Sequence, residues 1–113
     1  MALTTQDNSA TIGTMEYFLA SNSTTKTDQT THCYLQVWID FGAMAAGDEY
    51  RVRIYEKVST SSTQRTIAEA YLAGPQIGPW VSPSLHVRHG WEVGVAKIAG
   101  TDRSIVWSLR RAD

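Results

Sequence analysis

Two histidines three positions apart are the residues whose spacing most resembles a metal site. His86 and His89 form a His-x-x-His pair, and His32 and Cys33 are the obvious further nitrogen and sulfur ligands. Zinc would need a tetrahedral set of such ligands. The pair lies at a predicted strand end and a turn at Gly90, whereas residues three apart converge on a helix. We therefore predict no metal site and no cofactor, and we expect surface or interface histidines.

The sequence contains no legible pairing of a nucleophile with a base. Asp48 and Glu49 are neighbouring carboxylates, but neighbours on a strand point to opposite faces and cannot flank one bond. The Gly-x-Ser-x-Gly motif of hydrolases and the glycine motifs that bind phosphates are missing from the sequence. Cys33 has no base beside it and is expected to behave as a small hydrophobic residue. We predict a protein that is not an enzyme.

Four tryptophans are candidates for binding, since exposed aromatic rings contact sugars or protein partners. Trp91 and Trp107 alternate with aliphatic residues, so we expect them in the core. Trp38 shares a strand face with polar residues and Trp80 lies in a proline-rich loop, so both are candidates for exposed or interfacial positions. Interfaces favour arginine with Trp and Tyr, and most basic residues here are arginines. We favour subunit contact over a glycan-binding platform.

The charges are distributed unevenly along the chain. Ten basic and eleven acidic residues give a net charge of -1, which disfavours binding to a nucleic-acid backbone. Residues 1–50 are acidic on balance and residues 51–113 are basic. Either the two halves neutralise each other within one fold, or complementary faces pair between subunits in a closed trimer. The acidic face would contain Glu16, Asp40, Asp48 and Glu49, and the basic face Arg51, Arg53, Arg103 and Arg110.

Short alternating segments must position these side chains. In residues 34–41, Leu35, Val37 and Ile39 fall on one face and polar residues on the other, the period of a half-buried strand. No long amphipathic helix competes with this pattern. We predict an all-β fold, a single antiparallel β-sandwich or jelly roll of seven to eight short strands over residues 14–113. The other predicted strands are residues 15–19, 49–58, 67–73, 80–87 (interrupted at Pro83), 91–98 and 104–110.

The first residues lack the pattern of the remainder. Residues 1–13 have few apolar groups and no sustained period, so we predict a flexible N-terminal arm that is mobile or ordered on a neighbouring subunit. The sequence shows no secretory signal and no apolar stretch long enough to cross a bilayer, which predicts no membrane partner. A single cysteine fits a protein that folds in a reducing cytosol.

Five segments of the chain together resemble a family of small proteins encoded in tailed bacteriophage genomes. The segments are IYEKV at 54–58, TQR at 63–65, WVSPSL at 80–85, HGWEV at 89–93 and KIAGTDRSIVWSLR at 97–110. The resemblance extends from Met15 to Arg110 and brings no catalytic residues with it. It implies a virion component that is assembled in the host cytoplasm.

From the resemblance and the residues we expect a non-enzymatic capsid decoration (cement) protein that stabilises the head shell. Its partners would be the major capsid protein and further copies of itself, in a homotrimer. The expected interface residues are Trp38, Trp80, Arg51, Arg53, Arg103 and Arg110. The alternative is a tail-associated or carbohydrate-binding adhesin module that uses Trp38 and Trp80.

Overall fold

Nine strands make up the regular structure of residues 3–113, the part of the chain that this computed structural model describes. They form two antiparallel sheets, which confirms the predicted all-β sandwich. Sheet A has the order β1-β9-β3-β6, with β7 also paired to β3, and sheet B has the order β2-β8-β4-β5. The strands are β1 (Leu3–Ile12), β2 (Tyr17–Phe18), β3 (Cys33–Asp40), β4 (Glu49–Glu56), β5 (Arg65–Ala73), β6 (Trp80–Val81), β7 (Leu85–Val87), β8 (Glu92–Ala99) and β9 (Arg103–Ala112).

The order of strands is that of a jelly roll. β6 and β7 both pair with β3 and count as one strand interrupted at Pro83, as the sequence predicted. The chain then forms nested antiparallel pairs, β1 with β9, β2 with β8, β3 with β6 and β7, and β4 with β5. A long hairpin folded in this way and wrapped around itself gives two sheets that cover each other.

The core lies between the two sheets because alternate residues of each strand are apolar. In β3, Cys33, Leu35, Val37 and Ile39 are fully buried, whereas Tyr34 on the opposite face is exposed. Each such aliphatic side chain contributes about 1.5–3 kcal/mol when it leaves water. The predicted core positions of Trp91 and Trp107 and the burial of Cys33 are confirmed. The other large core side chains include Phe41, Tyr50, Val52, Ile54, Val93, Val95, Ile105 and Leu109.

Within the predicted flexible arm, residues 1–13, residues 3–12 form a strand in the structure, and residues 1 and 2 lie outside the described part of the chain. β1 pairs with β9 along its whole length, from Leu3 opposite Ala112 to Ile12 opposite Arg103. Ile12 is buried in the core, and the side-chain amide of Gln6 donates to the carbonyl oxygen of Ala20. The sequence showed no apolar period because β1 is an edge strand that is held mainly by its backbone, so most of its side chains are polar and exposed.

Smaller differences concern the lengths of elements. The strand predicted at residues 15–19 is reduced to Tyr17–Phe18, and the connection at 42–47 consists of turns. At the interruption between β6 and β7, Ser82 continues the contact with β3, since its backbone N–H donates to the Val37 carbonyl oxygen at 2.9 Å. In residues 3–113 the structure has no helix with the length and hydropathy needed to cross a membrane.

Candidate functional site

The solvent-facing side of sheet A collects several of the residues that the sequence singled out. Side chains of β3 that do not enter the core point to this side, namely Tyr34, Gln36, Trp38 and Asp40. Ser108 on β9 lies opposite Trp38 on one side and opposite Asp7 of β1 on the other, so Ser108 and Asp7 belong to the same face. We call this surface the outer face of sheet A. It is built on paired strands, so its side chains have a rigid support.

An arginine and a tryptophan form the centre of the outer face of sheet A. The Arg110 guanidinium lies over the indole ring of Trp38, with its carbon 4.0 Å from the ring centroid. The indole Nε1–H donates to Oε1 of Gln36 at 3.0 Å, and Arg110 lies opposite Gln36 in the strand register. A cation over an indole ring at an exposed site contributes about 0.5–1 kcal/mol. The hydrogen bond and the stacking together fix the orientation of both groups before any partner binds.

Two shallow depressions flank this arginine–tryptophan pair. One has a volume of about 320 Å³ and lies towards the beginning of β1, and the other, of about 310 Å³, lies beside the indole ring. Both are open to solvent and contain apolar and charged groups together. Their lining includes Leu3, Thr5, Tyr34 and Ser84 in the first, and Asp7, Asp40, Pro79 and Val106 in the second.

The histidines are arranged differently from the His-x-x-His pattern. His86 on β7 lies opposite Tyr34 and stacks on its ring, with centroids 4.9 Å apart. The Nε2 atom of His86 contacts Nε2 of His32, while His89 lines a depression together with His32 and Lys57 that His86 does not line. Across residues 3–113, no group of three or more histidine, cysteine, aspartate or glutamate side chains is placed to hold a metal ion. The sequence spacing therefore does not correspond to a shared site.

Trp80, the other candidate for an exposed or interfacial position, does not lie on the same face as Trp38. β6 pairs with β3 so that Val81 lies opposite Trp38 and Trp80 lies opposite Ile39. Opposed residues of paired strands share a face, so Trp80 points inwards with Ile39 and packs against the core. The loop before β6 has no hydrophobic period, so the direction of the Trp80 side chain could not be predicted from the sequence.

The predicted acidic and basic faces are not separate surfaces. Glu16 lies 3.9 Å from Arg51, Arg53 bonds Glu69, and Arg103 donates to Asp48 at 2.7 Å. Arg51 and Arg53 lie on the outer face of sheet B, whereas Arg110 is on the outer face of sheet A. Three of the four arginines thus have acidic partners within the chain, as the neutralisation alternative predicts, and only Arg110 of the expected interface arginines lies beside Trp38.

Asp48, the residue before the predicted strand 49–58, links the turn before β4 to the turn between β8 and β9. Its carboxylate accepts from the Ala45 and Thr101 backbone N–H groups at 2.8 and 3.0 Å, and from Nε of Arg103. The bond from Arg103, followed by the two backbone bonds, lowers the pKa of Asp48 to about 2. Glu49, the next residue, is exposed on the opposite side. The two carboxylates therefore do not form a pair, as predicted.

Glu92 is a buried charged residue that the sequence did not single out. Its carboxylate accepts four hydrogen bonds, from the backbone N–H groups of Ala20, Ser21 and Val93 and from the Ser21 hydroxyl. Burial raises the pKa of Glu92, and these four donors oppose the rise. The carboxylate holds the loop after β2 against β8, which gives it a structural role. The only feature of the sequence that could have indicated its burial is the position of a glutamate in a strand whose other residues include Val93 and Val95.

The outer face of sheet A can bind a partner through an oriented guanidinium, aromatic rings and polar groups. In the described residues 3–113, no serine or cysteine side chain hydrogen-bonds a histidine, the contact that would activate a nucleophile. No protein-family model, curated protein or solved structure was found to match this chain.

Proposed function

We propose that the protein is a non-enzymatic structural component of a bacteriophage virion, a capsid decoration (cement) protein that binds the major capsid protein and stabilises the head shell. The resemblance to phage-encoded proteins supports the virion assignment. The observation that carries the binding role is the stack of Arg110 on Trp38 at the centre of the outer face of sheet A. Localisation to the virion and assembly in the host cytoplasm are part of the proposal.

The composition of this face supports binding to a protein. Trp, Tyr and Arg provide most of the binding energy at protein interfaces, and here Trp38, Tyr34 and Arg110 occur within one sheet face. The bond from Trp38 to Gln36 reduces the side-chain entropy that would otherwise be lost on docking. The jelly roll itself is used both by capsid proteins and by lectins, so the fold alone does not choose between these functions.

The adhesin alternative has weaker support. A sugar ring stacks on the open face of an indole, but the guanidinium of Arg110 lies over the Trp38 ring. Trp80, the second residue of that hypothesis, points to the core side of sheet A. A pyranose that stacks on the face of Trp38 covered by the guanidinium would have to displace Arg110.

Sedimentation with purified capsids that lack the protein tests the proposal. We expect the wild-type chain to pellet with the shells and the Arg110→Ala variant to lose binding. Residues at the centre of an interface contribute about 2 kcal/mol or more, which corresponds to roughly a 30-fold loss of affinity. Arg65→Ala is the matched control, because Arg65 is an exposed arginine on β5 in the other sheet.

Two results would reject the proposal. One is a wild-type chain that stays in the supernatant with capsids at saturating concentration. The other is retention on host polysaccharide that Trp38→Ala abolishes, since this is the behaviour of the adhesin module. Equal losses from Arg110→Ala and Arg65→Ala would place the docking surface elsewhere.

Self-association is also part of the proposal. The expected homotrimer stays a prediction, although the paired charges of Glu16, Asp48 and Glu69 no longer support a ring held by complementary charged faces. The mass of the isolated protein by light scattering tests the trimer. A different mode of self-association is favoured by the edges of the sheets.

A further inference from the structure

We infer that β1 is a self-association edge, at which a second copy of this chain pairs its own β1 antiparallel to the first. This inference does not depend on capsid binding, since it concerns the isolated protein, and it expects two chains where the homotrimer prediction expects three. It begins from the position of β1 at the end of sheet A, where its only strand partner in the structure described for residues 3–113 is β9. One side of a ten-residue strand is consequently free to pair.

The other sheet edges carry features that prevent such pairing. The opposite edge of sheet A is broken into β6 and β7 by Pro83, and β2 at one edge of sheet B has only two residues. β5 at the other edge contains Arg65 and Glu69 and has a register irregularity. Charges, prolines, bulges and short strands are the usual means by which proteins block edge pairing.

β1 lacks these protective features. It contains no proline and no lysine, and its pairing with β9 runs without a register shift from Leu3 to Ile12. Asp7 is its only charged residue. A long, regular and nearly uncharged edge is a template for another strand, and its backbone groups would supply the binding energy.

The sequence of β1 favours a second copy as the partner and indicates the register. A two-fold axis through Asn8 places Asn8 opposite Asn8 of the second copy, Asp7 opposite Ser9 and Thr5 opposite Thr11. Nine residues, 4–12, are then paired, and each carboxylate faces a hydroxyl donor. An axis through Asp7 would instead oppose two carboxylates, which is unfavourable.

The same register preserves the two faces of the sheet. Opposed residues share a face, and an axis through a residue matches outer-face side chains with outer-face side chains. An axis between Asp7 and Asn8 would oppose an outer-face residue to an inner-face one, and would place the two cores on opposite sides. Pairing through Asn8 joins the two copies of sheet A into one sheet, with both Trp38–Arg110 pairs on one continuous surface.

Light scattering and cysteine cross-linking test the inference on the full chain. We expect the wild-type protein to approach twice its mass of 12.5 kDa as concentration rises. Asn8→Asp adds a like charge at the axis beside Asp7 and should raise the dissociation constant about tenfold. Thr66→Asp adds the same charge to the exposed edge strand β5 and should leave the dissociation constant unchanged.

Cross-linking tests the register. Directly opposed residues on antiparallel strands have Cα atoms about 4.5–5.5 Å apart, within disulfide range. Asn8→Cys should therefore form a covalent dimer on mild oxidation. Thr5→Cys should not, because its two copies would be about 20 Å apart. Cys33 is buried and can stay in place.

Several results would overturn the inference. They are a mass of one chain or of three chains at all concentrations, equal weakening by Asn8→Asp and Thr66→Asp, or equal cross-linking of Asn8→Cys and Thr5→Cys. Failure of capsid binding with an intact Asn8-linked dimer would reject the proposed function and leave this inference standing. A protein that stays monomeric and still sediments with capsids would reject this inference and leave the proposed function standing.

Discussion

Replacement of Glu92 by glutamine should destabilise the fold by an amount that follows from its hydrogen bonds. Oε1 accepts from the backbone N–H groups of Ala20 and Val93, and Oε2 accepts from the backbone N–H and hydroxyl of Ser21. A glutamine amide retains only one oxygen. If that oxygen replaces Oε1, the amide NH₂ group faces the two donors of Ser21.

Only one of these two donors can find another acceptor. The Ser21 hydroxyl lies 3.2 Å from the Thr27 carbonyl oxygen and can donate there. The Ser21 backbone N–H stays unpaired beside the buried amide, which costs about 1–3 kcal/mol. For a domain of this length that loss lowers the melting temperature by roughly 4–12 °C.

Thermal unfolding at neutral pH, followed by circular dichroism, measures the effect. Glu69→Gln is the matched control, because Glu69 is a carboxylate paired with Arg53 near the surface and its replacement should change the melting temperature much less. Glu92→Ala should lower the melting temperature more than Glu92→Gln does, since three backbone N–H groups then lose their acceptor. Equal stability of wild-type protein and Glu92→Gln would refute the assigned role of these bonds.

Three further predictions concern Asp48, Gly100 and Cys33. Folding lowers the pKa of Asp48 from 3.8 to about 2, so the ionised carboxylate stabilises the fold above pH 4, and this stability should be lost as the pH falls from about 4 to about 2. In Asp48→Asn, the denaturation midpoint should therefore depend less on pH between about 4 and 2 than in the wild-type protein. Gly100→Ala should lower the free energy of unfolding in urea titrations more than Gly74→Ala does. Both glycines have positive φ, but only at Gly100 would an added Cβ lie 2.6 Å from the Asp48 Cα. Equal losses would contradict this contact. The thiol of Cys33 is buried and burial raises its pKa, so a thiol reagent should react with it only as the protein unfolds, and rapid reaction in the native state would show that β3 opens locally.

The sequence predicted the inner strands better than the edges. The alternation of Leu35, Val37 and Ile39 was sufficient to locate β3, because one face of that strand is fully buried and the other is not. β1 could not be located in this way, since its position depends on backbone pairing with β9, and of its side chains only Ile12 is fully buried, with Ala10 half-buried against the core. A hydrophobic period therefore indicates a strand with one buried face, and an edge strand with few buried side chains does not show this period.

The candidate site was predictable to the same extent. Trp38 was correctly placed on a polar strand face, because its alternation with buried residues fixes its direction. The direction of Trp80 depends on its pairing with Ile39, and the stacking of Arg110 on Trp38 depends on the alignment of β9 with β3. Neither alignment is encoded in the local spacing of residues, so neither could be derived before the strand order was known.

The nested strand order has a consequence for the synthesis of this protein on the ribosome. β8 and β9 emerge last, yet β8 lies between β2 and β4 and β9 lies between β1 and β3. A nascent chain that ends before residue 92 therefore lacks an inner strand of both sheets, and its earlier strands have no partners on those sides. Pairings between residues so far apart in sequence form slowly. The fold can close only after translation has passed β9, and until then the unpaired strands are exposed to other chains in the cell.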